Sequence, residues 1–191
     1  MLLAATVSGC SNADVSTPSA SNKVTLPIPQ SITTAQTEGK SPKIDQPLNL
    51  DRYRQNPCEA LSRQQITDFL GSEIPAEPHL VFDCIWQKHD ESQASIHVFF
   101  GTASIENLSN LKEKEYPFFK PLESIAGYPT VAYGKTNEYS MGRCSLATGT
   151  SDDAAFDTLV SLGKNFIGEK DPCAAARDVA AAIVANLKEG S

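Results

Sequence analysis

Five cysteines carry the most informative chemistry in this chain, because they divide into one and four. Cys10 ends an apolar run over residues 2–9 that closes on small side chains, as at the cleavage site of a bacterial lipoprotein signal. We expect Cys10 to carry lipid and residues 1–9 to be the remnant of a signal peptide, although its usual basic residues are missing. The alternative is an ordinary chain terminus with a free thiol.

The other four cysteines form an even set that is available for two disulfides. Cys58 and Cys173 follow prolines at predicted helix starts, whereas Cys84 and Cys144 fall on predicted strands. Pairing each helix with the strand nearest in sequence gives Cys58–Cys84 and Cys144–Cys173, although four cysteines allow three connectivities. A helix N-terminus also lowers a thiol pKa, so a reactive thiolate is the alternative. The chain has no C-x-x-C pair, which argues against redox catalysis and zinc.

Other residues that could do chemistry form no recognisable catalytic pattern. The chain lacks a G-x-S-x-G elbow, a glycine-rich phosphate loop and an H-E-x-x-H helix. Of the three histidines, His89 lies on a predicted solvated turn and His97 on a strand, as a packed or half-exposed residue. The adjacent carboxylates Asp152 and Asp153 are expected to face water on a turn. We therefore expect no catalytic residue, metal or cofactor.

Aromatic residues provide the candidate ligand-binding set, which consists of Phe118, Phe119, Tyr128 and Tyr133. Residues 116–121 form an aromatic-rich connection that two prolines make too stiff for a regular strand. This connection either fills the core or forms the lip of an apolar pocket with the two tyrosines.

Composition divides the chain into a polar segment and an acidic domain. Residues 10–50 contain many Ser, Thr and Pro and no aromatic residue, so we expect a lipidated Cys10 followed by a disordered tether. Residues 51–191 hold 13 Lys and Arg against 20 Asp and Glu, which argues against nucleic acid as a partner. No apolar run approaches the roughly 20 residues of a membrane-spanning helix.

The pattern of the domain predicts an α+β fold with a mainly antiparallel sheet of about five strands, packed by N-terminal and C-terminal helices. Helices are predicted at 63–70, after Ser104 and from Asp171 to Gly190. The strands are predicted at 81–88, 93–100, 130–133, 140–148 and 155–162.

In sequence order, the motifs Pro57-Cys58, Cys84-Ile85-Trp86, Gly127-Tyr128-Pro129, Cys144-Ser145-Leu146 and Asp171-Pro172-Cys173 resemble a family of actinobacterial cell-envelope lipoproteins of unknown function. The resemblance covers residues 56–188. It implies a lipid anchor on the extracytoplasmic face of the cell membrane and the two disulfides given above. It brings no catalytic residues.

Together these observations predict a surface-anchored lipoprotein that binds an envelope ligand or partner protein. Its partners are expected to be the membrane, through the lipid, and an unknown envelope molecule, and the protein is expected to be a monomer. An unrecognised envelope enzyme and a structural spacer are the alternatives.

Overall fold

Two helices of the protein begin at residues whose side chains cap them. A computed structural model describes residues 43–111 and 115–190. Helix α2 follows Ser62, which forms a capping box with Gln65, and ends at Gly71 in the left-handed conformation that glycine favours. The predicted helix at 63–70 is therefore confirmed. The first three helices are α1 (Asp51–Gln55), α2 (Arg63–Leu70) and α3 (Ile105–Leu111).

The longest helix, α4 (Pro172–Glu189), begins as its sequence predicts. The Asp171 carboxylate accepts hydrogen bonds from the backbone N–H groups of Cys173 and Ala174, at 2.7 and 3.1 Å. Pro172 occupies the first helical position, where a backbone N–H would have no partner within the helix.

Within the described residues, seven strands form one sheet in which every neighbouring pair is antiparallel. The expectation of about five strands was too low, whereas the antiparallel arrangement is confirmed. The order across the sheet is β1-β2-β3-β7-β6-β5-β4. The strands are β1 (Glu77–Pro78), β2 (Asp83–Gln87), β3 (Ser95–Phe99), β4 (Phe118–Ile125), β5 (Tyr128–Gly134), β6 (Arg143–Gly149) and β7 (Ala155–Ser161).

The two unexpected strands, β1 and β4, are the edges of the sheet. Strand β4 includes part of the proline-containing connection that was expected to be irregular, so that expectation is wrong. An edge strand has a neighbour on one side only. Pro121 lacks a backbone N–H, and on an edge strand this missing donor leaves no neighbouring strand without a hydrogen bond when it faces the unpaired side. Strand β1 is only two residues long, which is too short for a sequence pattern to predict.

Helix α4 packs against one face of the sheet and forms the main core with it. The buried face of α4 is apolar. It packs against buried strand side chains that alternate along each strand with half-exposed side chains, because successive residues of a strand point to opposite faces of the sheet. Trp86 lies in this core. The buried apolar strand residues of this core include Cys84, Trp86, Ile96, Val98, Ala132, Cys144, Leu146, Phe156 and Val160.

Among the described residues, helices cover the opposite face of the sheet only in part. Helix α3 packs Ile105 and Leu108 against Val131, Ala147 and Ala155, which makes a second and smaller apolar cluster. The described part of α3 has seven residues, and no other described helix packs on this face.

The packed domain begins earlier than the expected boundary at Asp51. Leu48 and Leu50 are buried in the main core, and the Leu48 N–H donates to the Thr150 carbonyl at 2.9 Å. The Tyr128 hydroxyl donates to the Gln46 carbonyl at 2.8 Å. Residues 44–50 therefore belong to the domain and not to a tether. Cys10, residues 1–9 and the tether up to residue 42 lie outside the described residues.

Two disulfides are present, and they join Cys58 to Cys84 and Cys144 to Cys173. Both the number and the preferred pairing are confirmed. The first disulfide connects the short helical turn Pro57–Glu59 to β2, and the second connects α4 to β6. Within the described ranges, none of the helices combines the length and the apolar character that a membrane crossing requires.

Candidate functional site: the open face of the sheet

The part of this sheet face on which no described helix other than α3 packs is the candidate functional site, and we call it the open face. It is defined by a row of half-exposed side chains on one face of the strands, in two register-paired sets: one runs from β2 through β3 and β7 to β6, and the other joins β5 to β4. The row consists of Ile85, His97, Leu159, Ser145, Tyr133 and Phe119. It therefore combines aliphatic, aromatic and hydrogen-bonding groups on one surface, as ligand sites do.

Asp157 lies beside this row, on the same face of β7 as Leu159. One of its oxygens, Oδ2, accepts a hydrogen bond from the buried Thr102 hydroxyl. The other, Oδ1, is buried and has no hydrogen-bond partner among the described residues. The Tyr133 hydroxyl is close enough to lower the pKa of the carboxyl, but it does not reach hydrogen-bonding geometry with Oδ1.

Burial dominates the electrostatics at Asp157. Loss of solvent raises the pKa of this carboxyl from 3.8 to about 7, although the Thr102 and Tyr133 hydroxyls act in the opposite direction. The pKa of Tyr133 is also raised, first by burial and then by the negative charge of Asp157. The Tyr133 ring makes an edge-to-face contact with Tyr116, with centroids 5.0 Å apart. Asp157 is therefore a carboxyl that can change charge near neutral pH beside an aromatic pair.

A second polar cluster lies at the β2 side of the open face. Asp83 is buried between two histidines: its Oδ1 lies 2.7 Å from Nε2 of His97, and its Oδ2 lies 3.6 Å from Nδ1 of His79. The register pairs Asp83 with Phe99 and Ile85 with His97, which brings Asp83 and His97 to adjacent positions on one face. Both histidines supply a partner for a carboxylate that would otherwise be buried alone.

Neither cluster has the geometry of a metal site. In residues 43–111 and 115–190, no group of three or more His, Cys, Asp and Glu side chains could hold a metal ion. His89 lies on its exposed turn and pairs with Glu77 at 2.9 Å, away from the Asp83 cluster.

The four aromatic residues that the sequence singled out do not form one pocket. Phe119 and Tyr133 are paired across β4 and β5 on the open face, whereas Phe118 packs toward the main core. Phe118 and Tyr133 both line a cavity of about 250 Å³ at the end of β5, together with Arg143. Tyr128 is buried and holds the N-terminal segment through Gln46.

Sequence reasoning missed Asp83, Asp157 and Thr102. One signal was present: Asp157 follows Phe156 and precedes Thr158 in a strand whose other outward positions are apolar or small, so a charge there interrupts the pattern. The burial of its carboxylate depends on Thr102 and Tyr133, which are distant in sequence.

Comparison with known proteins gives one match. A family model described as a protein of unknown function (DUF3558) matches residues 5–186. No curated protein and no solved structure matches the chain. Because the family model covers almost the whole sequence, the chain belongs to the DUF3558 family, whose function is unknown.

Proposed function

We propose that this protein is a lipoprotein, anchored on the extracytoplasmic face of the cell membrane, that binds an envelope ligand or partner protein on the open face. The observation that carries the proposal is the row of half-exposed side chains beside Asp157, on a face where α3 is the only described helix that packs. A sheet face with no structural role normally has charged and polar side chains, whereas this one presents Ile85, Leu159 and Phe119.

Two features support the proposed location. Cys10 follows an apolar run of the lipoprotein type, and the remaining four cysteines pair into two disulfides, which persist in oxidising compartments. The resemblance to actinobacterial envelope lipoproteins agrees with both features.

Binding fits the site better than catalysis because, among the described residues, the hydroxyl that donates to the Asp157 carboxyl is that of Thr102, which is buried. In the described part of the chain, the hydrogen-bonded histidines His89 and His97 pair with carboxylates and not with a hydroxyl or a thiol. Asp157 provides the alternative of an envelope enzyme, since a carboxyl with a pKa of about 7 is suited to general acid–base chemistry. A structural spacer would need no such carboxyl.

Site-specific photo-crosslinking in native cells tests the binding proposal. A photoreactive amino acid replaces Leu159 on the open face, and the matched control replaces Asp178, which is exposed on the outer side of α4. We expect one adduct of defined mass at position 159 and none at position 178. Equal crosslinking at both positions, or none at 159, would contradict the proposal.

The nature of the adduct separates binding from catalysis. A binding protein keeps the captured molecule unchanged, and Asp157→Asn then alters its affinity without any product being formed. Turnover of the identified molecule that is lost in Asp157→Asn would establish the enzyme instead.

Replacing Cys10 by Ala tests the anchor separately: we expect the protein to leave the detergent phase, and unchanged partitioning would refute lipidation at this residue.

A further inference from the structure

The loop between β1 and β2 exposes three consecutive large apolar side chains, and we call residues 80–82 the tip. Leu80, Val81 and Phe82 are 68, 73 and 40% exposed. Exposed apolar side chains are common singly, but three in succession on one projecting turn mark an interaction surface. The tip lies outside the open face and plays no part in the proposed ligand site.

The backbone holds the tip away from the domain. Phe82 has a φ of 68°, a left-handed conformation that is costly for a bulky residue and persists only where the surrounding structure enforces it. The Phe82 carbonyl accepts a hydrogen bond from the Phe100 N–H at 2.8 Å, and the next residue, Asp83, is held between His79 and His97. The apolar side chains therefore project because the base of the loop is fixed.

The chemistry around the tip favours a lipid surface as its occupant. The nearest carboxylate, Asp83, is only 2% exposed and faces two histidines, and Glu77 is paired with His89. A bilayer interface accepts a convex apolar turn without a complementary pocket. The domain is acidic, so attraction to anionic lipid cannot drive the contact, and the apolar side chains must do so.

The position of the tip agrees with this occupant. The Arg54 Nε donates to the Phe100 carbonyl at 3.1 Å, and the Phe100 N–H bonds the Phe82 carbonyl. The chain from residue 44 to α1 therefore enters the domain at the end of the sheet from which the tip projects.

The opposite end of the sheet also exposes apolar residues, but it is less suited to insertion. Phe166, 43% exposed, has the Lys170 ammonium 4.0 Å from its ring centroid, and Ile167, 40% exposed, lies against Gly142. Met141, which is 53% exposed at this end, is therefore a matched control for the tip.

We propose that the tip, Leu80–Phe82, inserts into the interfacial region of a lipid bilayer and holds the domain against the membrane. The orientation of the domain relative to an anchor at Cys10 rests on the proposed function, whereas insertion of the tip does not. Two weak membrane contacts together hold a protein more firmly than either alone.

The test uses the full chain with Cys10→Ser, so that no lipid is attached, in a flotation assay with phosphatidylcholine vesicles. We expect the unlipidated chain to float with the vesicles at both low and high salt, because apolar burial drives the contact. The double replacement Leu80→Asp and Val81→Asp should lower the bound-to-free ratio by roughly tenfold or more, since burial of one such side chain is worth about one decade. Met141→Asp should leave the ratio unchanged.

A second readout follows the depth of the tip. Trp86 is the only tryptophan and is buried, so a tryptophan introduced by Val81→Trp reports on the tip against a constant background. We expect its emission to shift to shorter wavelength when vesicles are added, and circular dichroism of all variants should match that of the parent chain.

Three outcomes would overturn the inference. They are an absence of flotation at any lipid concentration, an equal loss in Met141→Asp, and a dimer that dissociates in the tip variant, which would make a second copy the occupant. The result is separable from the proposed anchor. If the lipidated wild-type protein partitions with membranes while the unlipidated chain ignores vesicles, the anchor stands and the tip inference fails.

Discussion

Replacing Asp157 by Asn is expected to stabilise the protein at neutral and alkaline pH, although it removes a buried side chain from a hydrogen-bonded cluster. The folded protein raises the pKa of this carboxyl from 3.8 to about 7. Between these values the unfolded chain is ionised at this position while the folded protein holds the proton. The contribution of Asp157 to stability is therefore fully present below about pH 4 and is lost as the pH rises to about 7.

The magnitude follows from the difference between the two pKa values. About three pKa units correspond to about 4 kcal/mol, a large share of the roughly 5–15 kcal/mol that stabilises a typical domain. An asparagine amide can still accept the Thr102 hydrogen bond and carries no charge at any pH. The variant and the wild type should therefore be similar in stability near pH 4, and the variant should be more stable by up to about 4 kcal/mol near pH 8.

Urea unfolding followed by Trp86 fluorescence measures both proteins across this pH range. The control, Asp178→Asn, makes the same chemical change on the exposed side of α4 and should change stability by less than about 0.5 kcal/mol at either pH. Subtracting the wild-type curve from that of each variant removes the titration of all other groups. A difference between Asp157→Asn and wild type that does not grow with pH would refute the buried, proton-binding state of this carboxyl.

Three further changes test the packing of the domain. Replacing Cys58 and Cys84 together by Ala should lower the free energy of unfolding by about 3.5 kcal/mol, from the loop of 26 residues that the disulfide closes, and an unchanged denaturation midpoint would contradict a formed bridge. Leu50→Ala should cost about 2–5 kcal/mol in the same assay because the side chain is buried in the main core; a loss below about 0.5 kcal/mol would return this segment to the tether. Asp171→Ala should cost about 1 kcal/mol through loss of the cap of α4, and Asp171→Asn should retain most of that stability if the cap and not the charge matters.

Most of the fold could be predicted because its signals are local. The capping box at Ser62, the Asp-Pro start of α4 and the alternation in β3 and β7 depend on residues close in sequence. Strand β4 was missed because proline is excluded from a central strand but not from an edge strand, and position within a sheet is not a local property.

The candidate site was harder to predict because its properties arise from distant residues. Among the described helices only α3 packs on the open face, and periodicity places a side chain on a face without saying what covers that face. Likewise, residues 80–82 are apolar, and the sequence pattern predicted a strand that begins at residue 81. In the structure, Phe82 has a positive φ and these residues lie on an exposed turn. The disulfides were predictable because each closes between elements that are neighbours in sequence.

The two edges of the sheet affect how the protein behaves at high concentration. An unpaired strand can recruit the same strand of another molecule, which leads to fibrous self-assembly. Each edge strand contains a proline, Pro78 in β1 and Pro121 in β4, which removes a donor from the exposed backbone. On β4, the Glu123 carbonyl is already occupied by Arg177 of α4. At high concentration, the edge strands of neighbouring molecules are therefore disfavoured from pairing with each other, and the molecules can remain separate.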